Sequence, residues 1–269
     1  MHRDSSSEFE HPDPASTTGR SSCSGAGPPP TPSTPRAGSE EAAPPGRILP
    51  AGPEGFDNIE GRRIQSVSDG FGELWFKRFS LLLRGQDDPV RVMATWRADF
   101  DSFWPGGAHF LEPDRGMRAG EVAGVELKGP VGAVLATGVA LDSTSPTQFT
   151  LRTIQGHMFA GWIRFSTRPA APGTEARIEM AIRPSDPVYQ VALWLGGNHG
   201  EDRFWEEILS ALARRFEEDG ATVERESRCV SRRFTWRNAT NLRYNAGMRS
   251  TLARLRDTAT APVRRGKRS

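Results

Sequence analysis

The amino-acid sequence predicts an α+β domain in which an antiparallel sheet packs against a C-terminal amphipathic helix. Four successive segments between residues 131 and 183 carry apolar side chains on alternate positions, the pattern of strands with one buried face. After them, apolar residues recur at helical spacing, at Trp205, Ile208, Leu209, Leu212 and Phe216. These two observations predict that the helix covers the apolar face of the sheet.

Composition limits the folded part of the chain. Residues 1–60 contain 11 Pro, 7 Gly and 9 Ser without apolar periodicity, so we expect residues 1–61 to form a disordered arm. Residues 221–269 carry 13 basic and three acidic side chains, which predicts an Arg-rich basic tail. The interval 62–220 remains as one domain, long enough for an ordinary core.

Several classes of protein are not indicated by the sequence. No run approaches the roughly 20 apolar residues of a membrane span, and no basic-then-apolar leader is present, so we expect a cytoplasmic protein. Cys23 and Cys229 both lie outside the predicted domain and suggest neither a disulfide framework nor a thiolate metal site. No metal-ligand spacing, nucleophile motif or cofactor motif appears, and we therefore predict no cofactor.

The elements before the four strands follow from local signals. Residues 78–84 alternate Phe79, Leu81 and Leu83 and predict a first strand, with a helix over 74–83 as the alternative. Asp88-Pro89 then predicts the start of a helix that carries an aromatic stripe down to Pro105. Residues 118–128 predict a further strand.

The elements after the strands are predicted by capping signals. Asp186-Pro187 predicts a short, largely buried helix that ends at Gly196-Gly197. Asn198, with Glu201 three residues later, predicts a capping box for the last helix, which ends near Gly220. The predicted order is strand, helix, about five strands, short helix and long helix.

This order resembles the helix-grip fold of the START and birch-pollen-allergen superfamily, which includes polyketide-cyclase-like proteins. Residues 88–105, GHMFAGWIRF (156–165) and GGNHGEDRFW (196–205) look like those of an uncharacterised, mostly actinobacterial branch. The resemblance covers roughly residues 62–218 and implies a curved antiparallel sheet, a cavity between sheet and helix, and no established reaction. The last helix is usually continuous in that superfamily, so the break at Gly196-Gly197 is a departure.

The leading functional hypothesis is a helix-grip protein that encloses a small apolar ligand, since large aromatic side chains can line such a pocket. His157 is a candidate polar anchor. The residues predicted to bind the ligand come from the sheet and the last helix, and they are Phe149, Leu151, His157, Ile163, Phe165, Met180, Trp205 and Leu209.

Two other functions stay open at this point. A cyclase-like or hydrolase-like enzyme would use His157 as a general base beside a carboxylate such as Glu121. An interaction protein would use residues 221–269, where Phe234, Trp236 and Tyr244 alternate with arginines, to bind weakly to nucleic acid or another anionic partner.

Overall fold

The computed structural model describes residues 47–49, 59–128 and 134–250. Its strands are β1 (Leu74–Leu83), β2 (His109–Leu111), β3 (Val122–Lys128), β4 (Val134–Ser145), β5 (Gln148–Thr153), β6 (Phe159–Ala170), β7 (Gly173–Pro184) and β8 (Glu224–Ser231). Its α-helices are α1 (Pro89–Ala98), α2 (Pro187–Ala192) and α3 (Asn198–Arg215). Short 3₁₀ helices span Val67–Asp69, Phe100–Phe103 and Trp236–Tyr244, and Leu193–Gly197 is a π-helical segment.

The strands form one antiparallel sheet in the order β2-β3-β4-β5-β6-β7-β1-β8. Helix α3 packs against its apolar face through Trp205, Ile208, Leu209 and Leu212, all of which are buried. The predicted fold class, a curved antiparallel sheet packed on a C-terminal helix, is confirmed. The strand prediction for residues 78–84 is also confirmed, and the helical alternative is wrong.

The longest pairing in the sheet joins β6 to β7. Alternate residues of the two strands face α1 and α3, and neighbours such as Phe165 and Ile178 pair directly and are fully buried. Gly161 allows the two backbones to approach closely, because a Cβ at this position would lie 2.0 Å from the carbonyl oxygen of Ala181. Val131 and Ala133 of the predicted apolar pattern lie outside the described residues.

Helix α1 begins as predicted but ends early. The Asp88 side chain accepts hydrogen bonds from the backbone N–H groups of Val90 and Arg91 at 2.9 and 3.3 Å. The α-helix ends at Ala98, and the remaining aromatic residues continue in the 3₁₀ turn Phe100–Phe103. The tighter turn brings the Phe100 ring against Phe110 of β2, a strand that the sequence pattern did not predict.

Helix α2 is also capped as predicted, with Asp186 accepting from the N–H groups of Val188 and Tyr189. The prediction that this helix is largely buried is wrong. Val188, Val191, Trp194 and Leu195 are exposed, because only the opposite side of the segment contacts the rest of the domain. The predicted break is present at Gly196, whose φ of 110° is a left-handed conformation that favours glycine.

The predicted capping box at the start of α3 is not formed. Asn198 has helical backbone angles and does not cap the helix with its side chain. The side chains of Asn198 and Glu201 bind Lys77 of β1 instead, at 2.6 and 2.7 Å. An ionised lysine in the interior binds such acceptors more strongly than a neutral backbone N–H does, which explains why the local capping signal fails.

The segment assigned from composition to a basic tail begins as part of the folded domain. Strand β8 pairs antiparallel with β1, and the boundary predicted at residue 220 therefore divides the sheet. No apolar pattern predicts this strand, because its pairing uses backbone groups and most of its side chains are polar. Cys229 on β8 is buried, and Cys23 lies outside the described residues.

Beyond β8 the chain continues along the domain. The Thr235 N–H donates to the carbonyl oxygen of Phe71, and Asn245 Nδ2 donates to Asp186 at 2.8 Å. At the other end, Leu49 and Ile59 are buried against the sheet although composition placed them in the disordered arm. Residues 1–46, 50–58 and 251–269 lie outside the described residues.

A cavity between the sheet and the last helix

A cavity of about 500 Å³ lies between the sheet, α3 and the segment that precedes α3. Its sheet wall comes from β3, β4, β5 and β6, and its helical wall from the first two turns of α3. The apolar side chains of this wall include Val125, Leu127, Leu135, Val139, Leu151, Ile163, Phe165, Phe204 and Trp205. This volume and lining are typical of sites that hold a small, largely apolar molecule.

Five of the eight predicted binding residues lie at the cavity wall, namely Leu151, His157, Ile163, Phe165 and Trp205. The other three, Phe149, Met180 and Leu209, are fully buried in the adjoining core and do not line the cavity. Phe149 is separated from it because its ring stacks on Phe165 at 4.6 Å and meets the edge of Phe100 at 5.3 Å. The aromatic residues of α1 and the following turn fill this end of the interior.

His157 is held by the tight turn between β5 and β6. Gly156 has a φ of 100°, and a Cβ there would lie 2.5 Å from the carbonyl oxygen of Tyr244. The His157 N–H donates to the Ile154 carbonyl oxygen at 3.0 Å, and Ser185 Oγ donates to the His157 carbonyl oxygen. Hydrogen bonds at both the N–H and the carbonyl oxygen of His157 therefore hold the backbone from which its ring projects.

Burial keeps the His157 ring neutral, and two contacts of Nδ1 with Phe159 bear on its tautomer. Only 6% of the residue is exposed, and burial lowers the pKa of His157 to about 4. Nδ1 lies 3.0 Å from the Phe159 N–H and 3.2 Å from the Phe159 carbonyl oxygen. The shorter contact, to a group that can only donate, favours the tautomer in which Nδ1 accepts and Nε2 carries the proton. Among the described residues Nε2 has no hydrogen-bond partner, and His157 is one of the residues that line the cavity.

A buried ionic cluster closes the cavity next to α3. Lys77 Nζ donates to Asn198 Oδ1, Glu201 Oε2 and Asp202 Oδ1 at 2.6, 2.7 and 2.6 Å. Burial raises the pKa of Glu201, while Lys77 acts to lower it. The second oxygen of Glu201 accepts from the indole N–H of Trp205 at 3.1 Å. Glu201 lines the cavity, but both of its oxygens already have partners within the protein.

Sequence reasoning missed several lining residues. Trp104, at the end of the aromatic stripe, lines the cavity, and its indole N–H is buried without a partner among the described residues. Tyr189 also lines it, and its hydroxyl oxygen accepts from the Gly247 N–H at 3.2 Å. Helical spacing identified Trp104 as an apolar position, but nothing in the spacing shows that its ring faces open space.

The carboxylate proposed from sequence as a partner for His157 does not line the cavity. Glu121 precedes β3, and its carboxylate lies 3.7 Å from Arg115. Two acidic residues line the cavity, and each already has a cationic partner, Lys77 for Glu201 and Arg203 for Glu207. Within the described ranges there is no cluster of three or more His, Cys, Asp or Glu residues suited to a metal ion, and no helix there is both long and apolar enough to cross a membrane.

Comparisons with known proteins identify similar structures but no sequence family. Neither a protein-family model nor a curated protein matches the chain. An uncharacterised protein from Rhizobium leguminosarum is 13% identical, with a TM-score of 0.42 over 55% of this chain and 97% of that one. The di-domain aromatase/cyclase StfQ of the steffimycin biosynthetic pathway is 11% identical, with a TM-score of 0.43 over 56% of this chain and 52% of that one.

A third similar structure is Ara h 8.0201, which is 13% identical with a TM-score of 0.40 over 54% of this chain and 99% of that one. At such scores the likeness carries no argument about ligand or activity. The fold assignment rests on the strand order and on the helix laid across the sheet. The chain has the helix-grip arrangement that its sequence pattern implied, an antiparallel sheet with a long C-terminal helix laid across it.

Proposed function

We propose that this protein binds a small, largely apolar molecule that carries a hydrogen-bond acceptor, and that it holds this molecule in the cavity between the sheet and α3. The observation that carries the proposal is the composition of the wall, which is apolar except for a few polar groups. Of these, the His157 N–H lacks a partner among the described residues. An acceptor such as a carbonyl oxygen would satisfy this donor.

The state of His157 supports binding over catalysis. A general base needs a free lone pair, whereas the Nδ1 lone pair of His157 accepts from the Phe159 N–H and Nε2 is protonated. With a pKa of about 4, the ring has little tendency to take up a proton near neutral pH. No described observation favours the cyclase or hydrolase alternative.

The binding hypothesis is tested by filling the cavity. Ile163 lies on β6 between Leu151 and Met180 and faces the cavity, so Ile163→Trp places an indole in the space that the ligand needs. We expect titration with the neutral fluorophore N-phenyl-1-naphthylamine to give saturable 1:1 binding to the wild type and at least about tenfold weaker binding to the variant. The matched control is Leu111→Trp, because Leu111 is half-buried in a separate apolar cluster with Ile64 and Val122.

The acceptor requirement is tested with two ligands of nearly equal shape. 2-Acetylnaphthalene and 2-ethylnaphthalene differ in a carbonyl oxygen, and we expect the ketone to bind roughly three to ten times more tightly. His157→Asn keeps an acceptor for the Phe159 N–H and removes the Nε2 donor, so this preference should shrink. Equal affinity of wild-type protein for both compounds would contradict the proposed polar contact, and unaltered fluorophore binding by Ile163→Trp would contradict the cavity as the site.

A further inference from the structure

The segment between β7 and α3 has two different faces. Its inner face, with Tyr189, Ala192 and Leu193, lines the cavity. Its outer face carries Trp194 and Leu195, which are 59% and 84% exposed. Side chains of this size are rarely left together at the surface of a protein without a binding role. Because inner and outer faces belong to one short segment, anything that binds the outer face also contacts the wall of the cavity.

The C-terminal segment extends this apolar surface. Phe234 packs against Trp194, with ring centroids 5.9 Å apart, and its ring also stacks on Phe71. Trp236, two residues later, is 71% exposed. Two tryptophans from separate parts of the chain, Trp194 and Trp236, thus both contact Phe234.

The segment that carries Phe234 and Trp236 is rich in arginine. Residues 227–250 contain six arginines and no aspartate or glutamate. Arg232, Arg233 and Arg237 are exposed and bracket Phe234 and Trp236 in the chain. We call the exposed set Trp194, Leu195, Trp236, Arg232, Arg233 and Arg237 the docking patch.

We propose that the docking patch binds an anionic lipid bilayer, with the tryptophans and Leu195 inserted at the headgroup level and the arginines against the lipid phosphates. Exposed Trp and Leu beside clustered Arg is the combination that an anionic membrane surface binds, since apolar burial and charge attraction both contribute. Bilayer contact would also place the outer wall of the cavity against the phase in which an apolar ligand dissolves. The docking itself does not depend on the cavity function.

Two other occupants fit the patch less well. In a symmetric dimer the same patch faces itself, which would bring the arginines of two copies together. Nucleic acid would satisfy the arginines and could stack on the tryptophans, but it would leave Leu195 without a comparable partner. A bilayer satisfies the charged and the apolar members of the patch at once.

The test is co-sedimentation of the full chain with vesicles of phosphatidylcholine alone and with 30% phosphatidylserine. We expect binding to the anionic vesicles, weakened as salt rises. Trp194→Ser combined with Leu195→Ser should reduce partitioning by at least about tenfold, as should Arg232→Gln combined with Arg233→Gln and Arg237→Gln. Val90→Ser is the matched apolar control, because Val90 is exposed on α1 outside the patch.

Three results would overturn the proposal. The first is wild-type protein that stays in the supernatant with anionic vesicles at low salt. The second is vesicle binding that survives both patch variants. The third is a protein dimer or a nucleic-acid complex that depends on the patch when vesicle binding is absent. The Ile163→Trp variant should still bind vesicles, so a failure of the cavity proposal and a failure of docking are distinguishable.

Discussion

Replacing Lys77 by Met tests how the sheet is tied to α3. The variant keeps the length and apolar stem of the side chain but leaves Glu201 and Asp202 buried without their shared cation, since the Lys77 ammonium lies 2.7 and 2.6 Å from the two carboxylates. Removing one partner of such a buried pair costs about 3–5 kcal/mol of unfolding free energy. A typical domain is stable by only about 5–15 kcal/mol, so the loss should be large enough to measure easily.

The destabilisation should depend on pH because burial already raises the pKa of Glu201 in the wild type. Loss of Lys77 raises this pKa further. A carboxyl group whose pKa is raised by folding favours the folded state at low pH and loses that contribution as pH rises through the folded-state value. The gap between wild type and Lys77→Met should therefore be smaller at pH 5 than at pH 8, and the further change Glu201→Gln should recover part of the loss at pH 8.

Urea unfolding followed by tryptophan fluorescence at both pH values gives these free energies. The control is Arg203→Met, which breaks the exposed pair between Arg203 and Glu207 and should cost no more than about 0.5 kcal/mol. A cost below about 1 kcal/mol for Lys77→Met, or an equal cost at pH 5 and pH 8, would refute the assignment of Lys77 as the cation that holds α3 to the sheet.

Two further predictions concern the turn that holds His157. Burial lowers the pKa of His157 from 6.5 to about 4, so protonation at low pH favours the unfolded state. As pH drops from 6.5 towards 4, the unfolding free energy of the wild type should therefore fall by up to about 3 kcal/mol more than that of His157→Asn. Urea unfolding that gives the same pH dependence of the unfolding free energy for both proteins would contradict this. Gly156→Ala places a Cβ 2.5 Å from the Tyr244 carbonyl oxygen, at a φ of 100°. This change should lower the unfolding free energy by about 1–3 kcal/mol. It should also speed hydrogen exchange of the Ala246 N–H, which donates to the Gly156 carbonyl oxygen. The control is Gly106→Ala, at an exposed glycine. Hydrogen exchange at Ala246 that is no faster in Gly156→Ala than in this control would contradict the contact.

The sheet and the last helix could be predicted because their burial is periodic along the chain. Alternation in β6 and β7 and the i, i+3, i+4 spacing of α3 are local patterns that record which side faces the core. Asp88 and Asp186 cap α1 and α2 as predicted, since an N-cap needs only two or three neighbouring residues.

What the sequence could not predict depends on contacts between distant residues. Asn198 and Glu201 form a capping pattern, but Lys77, more than 120 positions away, binds both side chains. Strand β8 is added through the backbone of β1, which no side-chain pattern records. The exposed face of α2 looked like an ordinary apolar stripe, because a stripe indicates burial only where a neighbouring element covers it.

The cavity shows the same limit. Leu151 and Phe149 lie on one face of β5, yet only Leu151 lines the cavity, because Phe100 of the turn after α1 and Phe165 of β6 cover Phe149. Leu209 lies one turn after Trp205 on α3 and packs into the core. Apolar positions could be predicted from the sequence, whereas the division between filled core and open space depends on side chains that meet from separate elements.

The claim that the cavity holds an apolar ligand is tested most directly by native mass spectrometry of the full chain, purified from its own host without detergent beside the Ile163→Trp variant. We predict that the wild type carries a bound compound, that organic extraction yields a largely apolar molecule with a carbonyl or similar acceptor, and that the variant shows the bare polypeptide mass. A bare mass for the wild type, or a bound compound that Ile163→Trp retains, would contradict the account.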